Sequence, residues 1–192
     1  MRYWGHPHLA FATTNWPVKM GPESRRCDVA YDYRRFESIL LRSSRLFRPL
    51  GGAQVLMRTN GSNHRHTVAL ADDHIGMIQK VSDLLADEFN VVARVQDGTK
   101  AVQAALDFNP DIFILDICMP GLDGIHAAHE MKRLGVPAKI ILLTVQEDAD
   151  YIEAARELGA SYVLKSRMHR DLLMALEETL AGRTFFSTLS TQ

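Results

Sequence analysis

The chain has 192 residues, enough for one domain and additional segments. With 46% hydrophobic and 23% charged residues, its composition is that of a globular protein and excludes a chain too polar to fold. No apolar run is long enough to span a bilayer, no secretory signal opens the chain, and two cysteines are too few for a disulfide framework, so we expect a cytoplasmic protein that does not contact the membrane.

The formal net charge of -1 conceals two segments of opposite charge. Residues 1–66 contain 4 acidic and 11 basic side chains, whereas the remainder contains 19 acidic and 11 basic side chains, which gives about +7 and -8. This difference predicts a boundary near residue 66, with a basic extension before it. Met57 offers an alternative translation start, which would place residues 1–56 outside the protein.

The basic extension shows little regular patterning, because prolines and glycines interrupt it and residues 59–63 are typical of a linker. Between residues 33 and 47, apolar and arginine side chains recur at helical spacing, which indicates one short amphipathic helix. The favoured interpretation is a disordered extension. The alternative is a basic helix that contacts nucleic acid, an anionic surface or a partner protein.

From Thr67 onward, short apolar runs alternate with segments of helical periodicity. The predicted strands are 67–71, 91–95, 112–115, 140–143 and 162–164. The helical stripes lie within 75–88, 101–106, 125–134, 151–158 and 172–180. Five strand–helix units in strict alternation predict an α/β protein with a parallel sheet covered by helices on both faces.

Polar side chains stand at the carboxyl ends of four predicted strands, where sheets of this class bind their ligands. They are Asp72, Asp73, Asp116, Thr144 and Lys165. A single aspartate at a strand end is often only a turn residue or a helix cap. Three carboxylates together favour a bound Mg²⁺, and the lysine and the hydroxyl group suit a phosphoryl group. The combination predicts phosphoryl transfer onto a carboxylate.

Four segments around these residues resemble the signature segments of bacterial two-component response regulator receiver domains. They are 70–74 (Leu-Ala-Asp-Asp-His), 115–124 (Leu-Asp-Ile-Cys-Met-Pro-Gly-Leu-Asp-Gly), 142–144 (Leu-Leu-Thr) and 163–166 (Val-Leu-Lys-Ser). The details are most similar to the NarL/FixJ (LuxR-related) branch. The resemblance covers residues 67–183 and implies a flavodoxin-like (CheY-like) doubly wound sheet of order 2-1-3-4-5, with 184–192 as a tail or linker remnant.

The resemblance also implies a role for each residue of the site. Asp116 is the residue expected to be phosphorylated. Asp73 and Asp116 are expected to bind Mg²⁺ through their carboxylates, with Asp72 acting mainly through water and the backbone carbonyl of Cys118 completing the ligands. Lys165 is expected to contact the phosphoryl group.

A conformational switch is implied by the same resemblance. Thr144 is expected to move toward the phosphoryl group while Tyr162 reorients, so that the surface of the fourth helix, fifth strand and fifth helix becomes the readout face. Cys118 and Gln146 occupy positions that tune dephosphorylation. Ser166 stands where many receivers have a proline with a cis bond, which leaves the isomer of the Lys165–Ser166 bond open.

The sequence is compatible with several functions. The main hypothesis is a receiver that accepts phosphate from a sensor histidine kinase or phosphotransfer protein, forms a homodimer on phosphorylation, and catalyses only slow autophosphorylation and autodephosphorylation. The chain stops at Gln192 without a helix-turn-helix pattern, so direct DNA regulation is not expected. A DNA-binding regulator of the NarL/FixJ type is one alternative. An aspartyl-phosphate phosphohydrolase is another, although Cys118 stands where such enzymes carry a second aspartate.

Overall fold

A five-stranded parallel sheet forms the centre of the described part of the chain, which comprises residues 65–187 of this computed structural model. The predicted helix between residues 33 and 47, the alternative start at Met57 and the end of the tail after residue 187 lie outside this range.

Strands and helices alternate throughout the described residues, as the sequence predicts. The strands are β1 (Thr67–Ala71), β2 (Asn90–Val95), β3 (Ile112–Leu115), β4 (Lys139–Thr144) and β5 (Ser161–Leu164). The helices are α1 (Ile75–Leu85), α2 (Gly98–Phe108), α3 (Gly124–Arg133), α4 (Ala149–Leu158) and α5 (Met168–Leu180), and a 3₁₀ turn (Lys165–Arg167) precedes α5. None of these helices is long and apolar enough to cross a bilayer.

The strand order is β2-β1-β3-β4-β5, which confirms the predicted flavodoxin-like topology. All four neighbouring pairs are parallel. The direction of winding reverses between β1 and β3, and Ala71 pairs with Leu115 at the carboxyl ends of these two strands. This reversal opens a crevice beyond the strand ends, and it is the place where sheets of this kind bind ligands.

Two apolar layers cover the two faces of the sheet. Successive side chains of a strand point to opposite faces, so each strand contributes to both layers. In β3, Phe113 and Leu115 join the layer formed with α2, α3 and α4. Ile112 and Ile114 join the layer formed with α1 and α5. Every residue of β3 is buried, and this explains why its sequence is continuously apolar rather than alternating.

Helix ends are set by local capping groups, which the apolar stripes do not reveal. Asp97 accepts a hydrogen bond from the backbone N–H of Lys100, so α2 begins before the first residue of its apolar stripe. Asn109 and Gly159 adopt left-handed conformations, with φ of 43° and 59°, and end α2 and α4. The Lys165–Ser166 bond is trans, because the described residues contain no cis peptide bond.

Candidate functional site

The fold brings Asp72 and Asp116 side by side at the reversal of strand order. Asp72 follows β1 directly and Asp116 follows β3 directly, and the two strands are adjacent and in register. The backbone N–H of Asp116 donates to the carbonyl of Ala71 at 2.8 Å, which continues the ladder beyond the strands. Both aspartates are buried, 5% and 4% exposed, whereas Asp73 is partly exposed. Two carboxylates are thus held together away from water.

Lys165, at the end of β5, contacts both buried carboxylates. Its Nζ lies 2.8 Å from Asp116 Oδ2, to which it donates a hydrogen bond, and 2.7 Å from Asp72 Oδ2. The contact with Asp72 falls outside hydrogen-bond geometry. The buried Oδ2 atom of Asp72 is therefore held mainly by charge attraction to the ammonium group. The lysine was expected only to contact a phosphoryl group. In this structure it also neutralises part of the charge that the two aspartates bring together.

The protonation of the site follows from burial and from these ion pairs. Burial raises the pKa of the Asp116 carboxyl to about 6, because the opposing effect of Lys165 is smaller and the negative charge of Asp72 adds to the rise. Burial lowers the pKa of the Lys165 ammonium, but the two carboxylates outweigh burial and leave that pKa above its usual value. At neutral pH, Asp116 is therefore mostly ionised and Lys165 is charged.

The acidic residues fit a hard divalent cation. Ligand atoms of Asp72, Asp73 and His74 lie within 4.8 Å of one another. Oδ1 of Asp116 is buried and receives no hydrogen bond from the described residues, so it has an open coordination position. With three carboxylates and one ammonium, the site carries a net charge of about -2, which one divalent cation balances. Carboxylate and carbonyl oxygens are the ligands that Mg²⁺ prefers.

His74 is a member of this cluster that sequence reasoning did not assign. Its Nδ1 lies 2.7 Å from Asp73 Oδ1, and its backbone N–H donates to Asp72 Oδ1 at 2.9 Å. The second bond orients the Asp72 carboxylate at the start of α1. The position of His74 directly after two aspartates was the available signal, but adjacency in sequence does not show where the ring points.

Thr144, Gln146 and Tyr162 form one hydrogen-bonded group around the loop after β4. Thr144 ends β4 and is fully buried, and its Oγ1 accepts a hydrogen bond from the backbone N–H of Gln146 at 3.2 Å. The hydroxyl of Tyr162 donates to the carbonyl of Gln146 at 2.7 Å. The side-chain amide of Gln146 also reaches Cys118 Sγ at 3.2 Å. The loop after β4 therefore connects the threonine, the tyrosine and the loop after β3.

Burial raises the pKa of the Tyr162 hydroxyl above its usual value, and the nearby Tyr151 and acidic residues add to this effect. Tyr162 is 1% exposed, so its ring points into the protein. The tyrosine is therefore a neutral hydrogen-bond donor at physiological pH, and its hydroxyl is tied to the loop that follows Thr144.

The loop after β3 packs tightly against the backbone of Asp116. Asp123 caps α3 by accepting a hydrogen bond from the backbone N–H of His126 at 2.8 Å. The backbone N–H of Gly124 donates to the carbonyl oxygen of Ile117 at 2.9 Å. A Cβ atom at Gly124 would lie 2.0 Å from the backbone oxygen of Asp116, so only glycine fits without displacement. This loop therefore fixes the position of Asp116 on its carboxyl side.

An open cleft of about 730 Å³ gives access to the site from solvent. Asp73, Asp116 and Lys165 line it together with the start of α1 and the loop after β4. A small molecule from solvent can thus approach Asp116.

Comparison with known proteins gives a family match and a set of relatives. Residues 68–177 match the response regulator receiver domain. The chain is 36% identical over 123 residues to a nitrate/nitrite response regulator protein homolog of Haemophilus influenzae, covering 62% of this chain and 59% of the relative. It is 29% identical over 124 residues to the nitrate/nitrite response regulator NarL of Escherichia coli, covering 63% and 57%. The chain thus spans less than two thirds of the length of these relatives.

Solved receiver structures have a similar fold. The isolated REC domain of RcsB from Salmonella enterica serovar Typhimurium, determined with the phosphomimetic BeF₃⁻, has a TM-score of 0.60 and 28% identity, covering 65% of this chain and 94% of that one. The non-phosphorylated RcsB receiver of Escherichia coli has a TM-score of 0.60 and 27% identity, covering 65% and 100%.

Proposed function

The chain belongs to the response regulator receiver family, and on that premise we propose that Asp116 is the residue that accepts the phosphoryl group. The observation that carries this proposal is the position of Asp116. It is a buried carboxylate at the reversal of strand order, next to Asp72 and paired with Lys165. The open cleft gives a phosphodonor access to it.

Mg²⁺ is the cofactor that this donor set favours. Asp73 and Asp116 would hold it through their carboxylates, Asp72 mainly through water, and Cys118 through its backbone carbonyl. The bound cation would neutralise charge on the transferring phosphoryl group. The residues of the chain supply the rest: they gather the ligands, bury the carboxylates of Asp72 and Asp116, and keep an ammonium group near the reacting carboxylate.

Phosphoryl transfer requires one bond to form and one to break. A carboxylate oxygen of Asp116 attacks the phosphorus atom of the donor, and the bond from phosphorus to the donor nitrogen or oxygen breaks with its electron pair. The product is an acyl phosphate. The ammonium group of Lys165 pairs with the Asp116 carboxylate before transfer, and it would pair with the phosphoryl oxygens after transfer. The same site would catalyse slow autophosphorylation from small donors and slow autodephosphorylation.

The acyl phosphate would act on the group formed by Thr144, Gln146 and Tyr162. A hydrogen bond that the Thr144 hydroxyl donates to a phosphoryl oxygen would draw this side chain toward Asp116. Because the same hydroxyl oxygen accepts from the backbone N–H of Gln146, the loop after β4 would move with it. Since Gln146 also accepts from Tyr162, a shift of the loop after β4 changes the support of the tyrosine ring. Phosphorylation would thus alter the surface formed by α4, β5 and α5.

A sensor histidine kinase or a phosphotransfer protein is the phosphodonor implied by the family. A homodimer is a further candidate assembly, since a similar structure (28% identity, TM-score 0.60) contains two RcsB dimers bound to two parallel DNAs. DNA binding by this protein is the second candidate function, supported by that structure and by the basic charge of residues 1–66. Its sign would be DNA affinity that falls steeply with salt.

The main proposal is tested by labelling with acetyl phosphate or phosphoramidate in the presence of Mg²⁺. Intact-mass spectrometry should show one added phosphoryl group on the wild type and none on Asp116→Asn. Asp107→Asn, an exposed aspartate on α2, is the matched control and should label like the wild type. An unlabelled wild type, or an Asp116→Asn variant that labels equally well, would refute the assignment. Turnover of a phosphomonoester that depends on Asp116 would favour a phosphohydrolase instead.

A further inference from the structure

The chain returns to the sheet after α5 and adds a short parallel segment to the outer edge of β5. Gly182 turns the chain in a left-handed conformation, with φ of 81°. The residues Phe185–Ser187, named here the strap, then run along β5. Tyr162 donates its backbone N–H to the carbonyl of Phe185 at 2.7 Å and accepts from the N–H of Ser187 at 2.8 Å. The strap thus satisfies both backbone groups of Tyr162 on an edge that would otherwise be open.

Ser187 fastens the strap through its buried side chain. Its hydroxyl donates to Asp171 Oδ2 at 2.7 Å and accepts the backbone N–H of Leu164 at 3.3 Å. Asp171 is 2% exposed and also pairs with Arg167 at 3.1 Å and Arg170 at 2.9 Å. Loss of a partner by a buried carboxylate is energetically costly, so this contact holds Ser187 firmly in place.

Two further contacts hold the strap between α4 and α5. The guanidinium of Arg156, on α4, lies over the ring of Phe186 at 5.1 Å from its centroid. Phe185 donates its backbone N–H to Ser161 Oγ at 3.0 Å, and that hydroxyl is itself 2.6 Å from Thr179 Oγ1 of α5. The strap therefore belongs to the surface of α4, β5 and α5, and a partner that contacts this surface at the edge of β5 meets the strap.

The strap contacts the two parts of β5 that matter most for the proposed switch. One is Tyr162, whose backbone it brackets. The other is Leu164, which directly precedes Lys165, the residue paired with Asp116. Because the strap is parallel to β5, Ser187 lies toward the carboxyl end of that strand, beside Leu164. The strap thus holds in place the end of the strand that presents the ammonium group to the site.

We propose that docking of the strap on β5 is coupled to phosphorylation of Asp116, and that the phosphorylated state holds the strap more tightly. The inference rests on the proposed function. A docked strap orders Leu164 and so preorganises Lys165. An acyl phosphate has more negative charge than a carboxylate, and it therefore depends more strongly on an ordered ammonium. Coupling between two sites is reciprocal, so phosphorylation must favour the docked strap by the same factor by which the docked strap favours the phosphoryl group.

Hydrogen exchange with a phosphoryl mimic tests the coupling. The probe is beryllofluoride with Mg²⁺, added to the full chain, and the readout is amide exchange at Tyr162, Leu164 and Ser187. We expect exchange at these three amides to slow by about fivefold or more, the lower end of ordinary coupling between sites. Ser187→Ala should lose most of this slowing. Thr184→Ala, which removes an exposed hydroxyl just before the strap, should keep it.

The affinity for beryllofluoride supplies a second, independent readout. Ser187→Ala should bind the mimic more weakly by the same factor by which exchange at the strap slows in the wild type. Thermal melting shows whether Ser187→Ala is folded. If it is not, Phe186→Ala, which removes the ring under Arg156, replaces it.

The outcomes separate the two proposals. A wild type that acquires no phosphoryl label refutes the proposed function. A wild type that is labelled on Asp116 and binds beryllofluoride, but shows unchanged or faster exchange in the strap, refutes the coupling alone. Equal beryllofluoride affinity in the folded strap variant and the wild type also refutes it.

Discussion

Replacement of Asp116 by asparagine should stabilise the metal-free protein at neutral pH. The carboxyl group has a pKa of about 6 in the folded protein, against an ordinary value of 3.8. That difference corresponds to about 3 kcal/mol, at about 1.4 kcal/mol for each pKa unit. Since the ion pair with Lys165 already contributes to this pKa, about 3 kcal/mol is the net penalty for the ionised group.

The sign of the pH dependence follows from the raised pKa. The folded state binds the proton more tightly than the unfolded state, so this group contributes stability below about pH 4. That contribution is lost as the pH rises through about 6. Asparagine cannot ionise. The free energy of unfolding of the variant should therefore exceed that of the wild type by up to about 3 kcal/mol at pH 7.5, and the difference should fall to about 0.5 kcal/mol near pH 4.

Urea unfolding followed by circular dichroism measures this difference, with EDTA present and the pH varied from 4 to 8. Asp107→Asn, on the exposed face of α2, should match the wild type within about 0.5 kcal/mol at each pH. Addition of Mg²⁺ at 100 times its dissociation constant should stabilise the wild type by about 2.7 kcal/mol and Asp116→Asn by less. The reasoning is refuted if Asp116→Asn is no more stable than the wild type at pH 7.5, or if the difference does not change with pH.

Three other substitutions and one control test the contacts around the site and the strap by the same urea unfolding. Gly124→Ala should lose at least about 1–3 kcal/mol, because its Cβ would lie 2.0 Å from the backbone oxygen of the proposed phosphoacceptor. Gly76→Ala is the control, because among the described residues no atom beyond its own stretch of α1 lies within 4 Å of the added Cβ. This variant should be neutral or more stable by up to about 1 kcal/mol, and equal losses of stability in both glycine variants would contradict the steric argument. Tyr162→Phe should lower the free energy of unfolding by about 0.5–1.5 kcal/mol, because it removes the 2.7 Å hydrogen bond to the carbonyl of Gln146. An unchanged unfolding midpoint would show that this hydrogen bond does not contribute to stability. Asp171→Ala should lose about 3 kcal/mol or more, since it removes the buried partner of two arginines and a serine, and a loss below about 1 kcal/mol would contradict that role.

Much of the fold is encoded locally in the sequence. The predicted bounds of β1 and β3 coincide with the observed strands, since a strand buried on both faces must be continuously apolar and must stop where a charged residue appears. The alternation of strands and helices then constrains the sheet to be parallel. Asp72 and Asp116 follow their strands directly, so the topology alone places them together.

The helix ends were predicted less accurately than the strands, for a physical reason. An apolar stripe marks only the buried face, whereas the first and last turns depend on caps. The observed α5 begins at Met168, four residues before the apolar stripe that starts at Leu172, and α1 ends at Leu85, before the predicted limit near residue 88. Such boundaries depend on which backbone groups find a partner.

Only the tertiary structure shows how the residues of the site share their contacts. The sequence places Lys165 at the end of β5, but the folded chain brings its ammonium to both Asp72 and Asp116. The side-chain amide of Gln146 reaches Cys118, 28 residues away along the chain, and the ring of His74 turns toward Asp73. Each of these contacts depends on the direction of a side chain, for which adjacency in sequence gives no rule.

The sequence by itself determined the alternating α/β architecture and the set of polar residues at the strand ends. The reason is that the lengths and positions of the apolar runs indicate which segments are buried strands and where each strand ends. Only the tertiary structure shows that Phe185–Ser187 pair with the outer edge of β5. A segment of three residues is too short to show periodicity, and its position shortly after Gly182 is typical of a linker. Their place along β5 depends on Asp171, a carboxylate 16 residues away from Ser187, which becomes a partner only when α5 packs against the sheet.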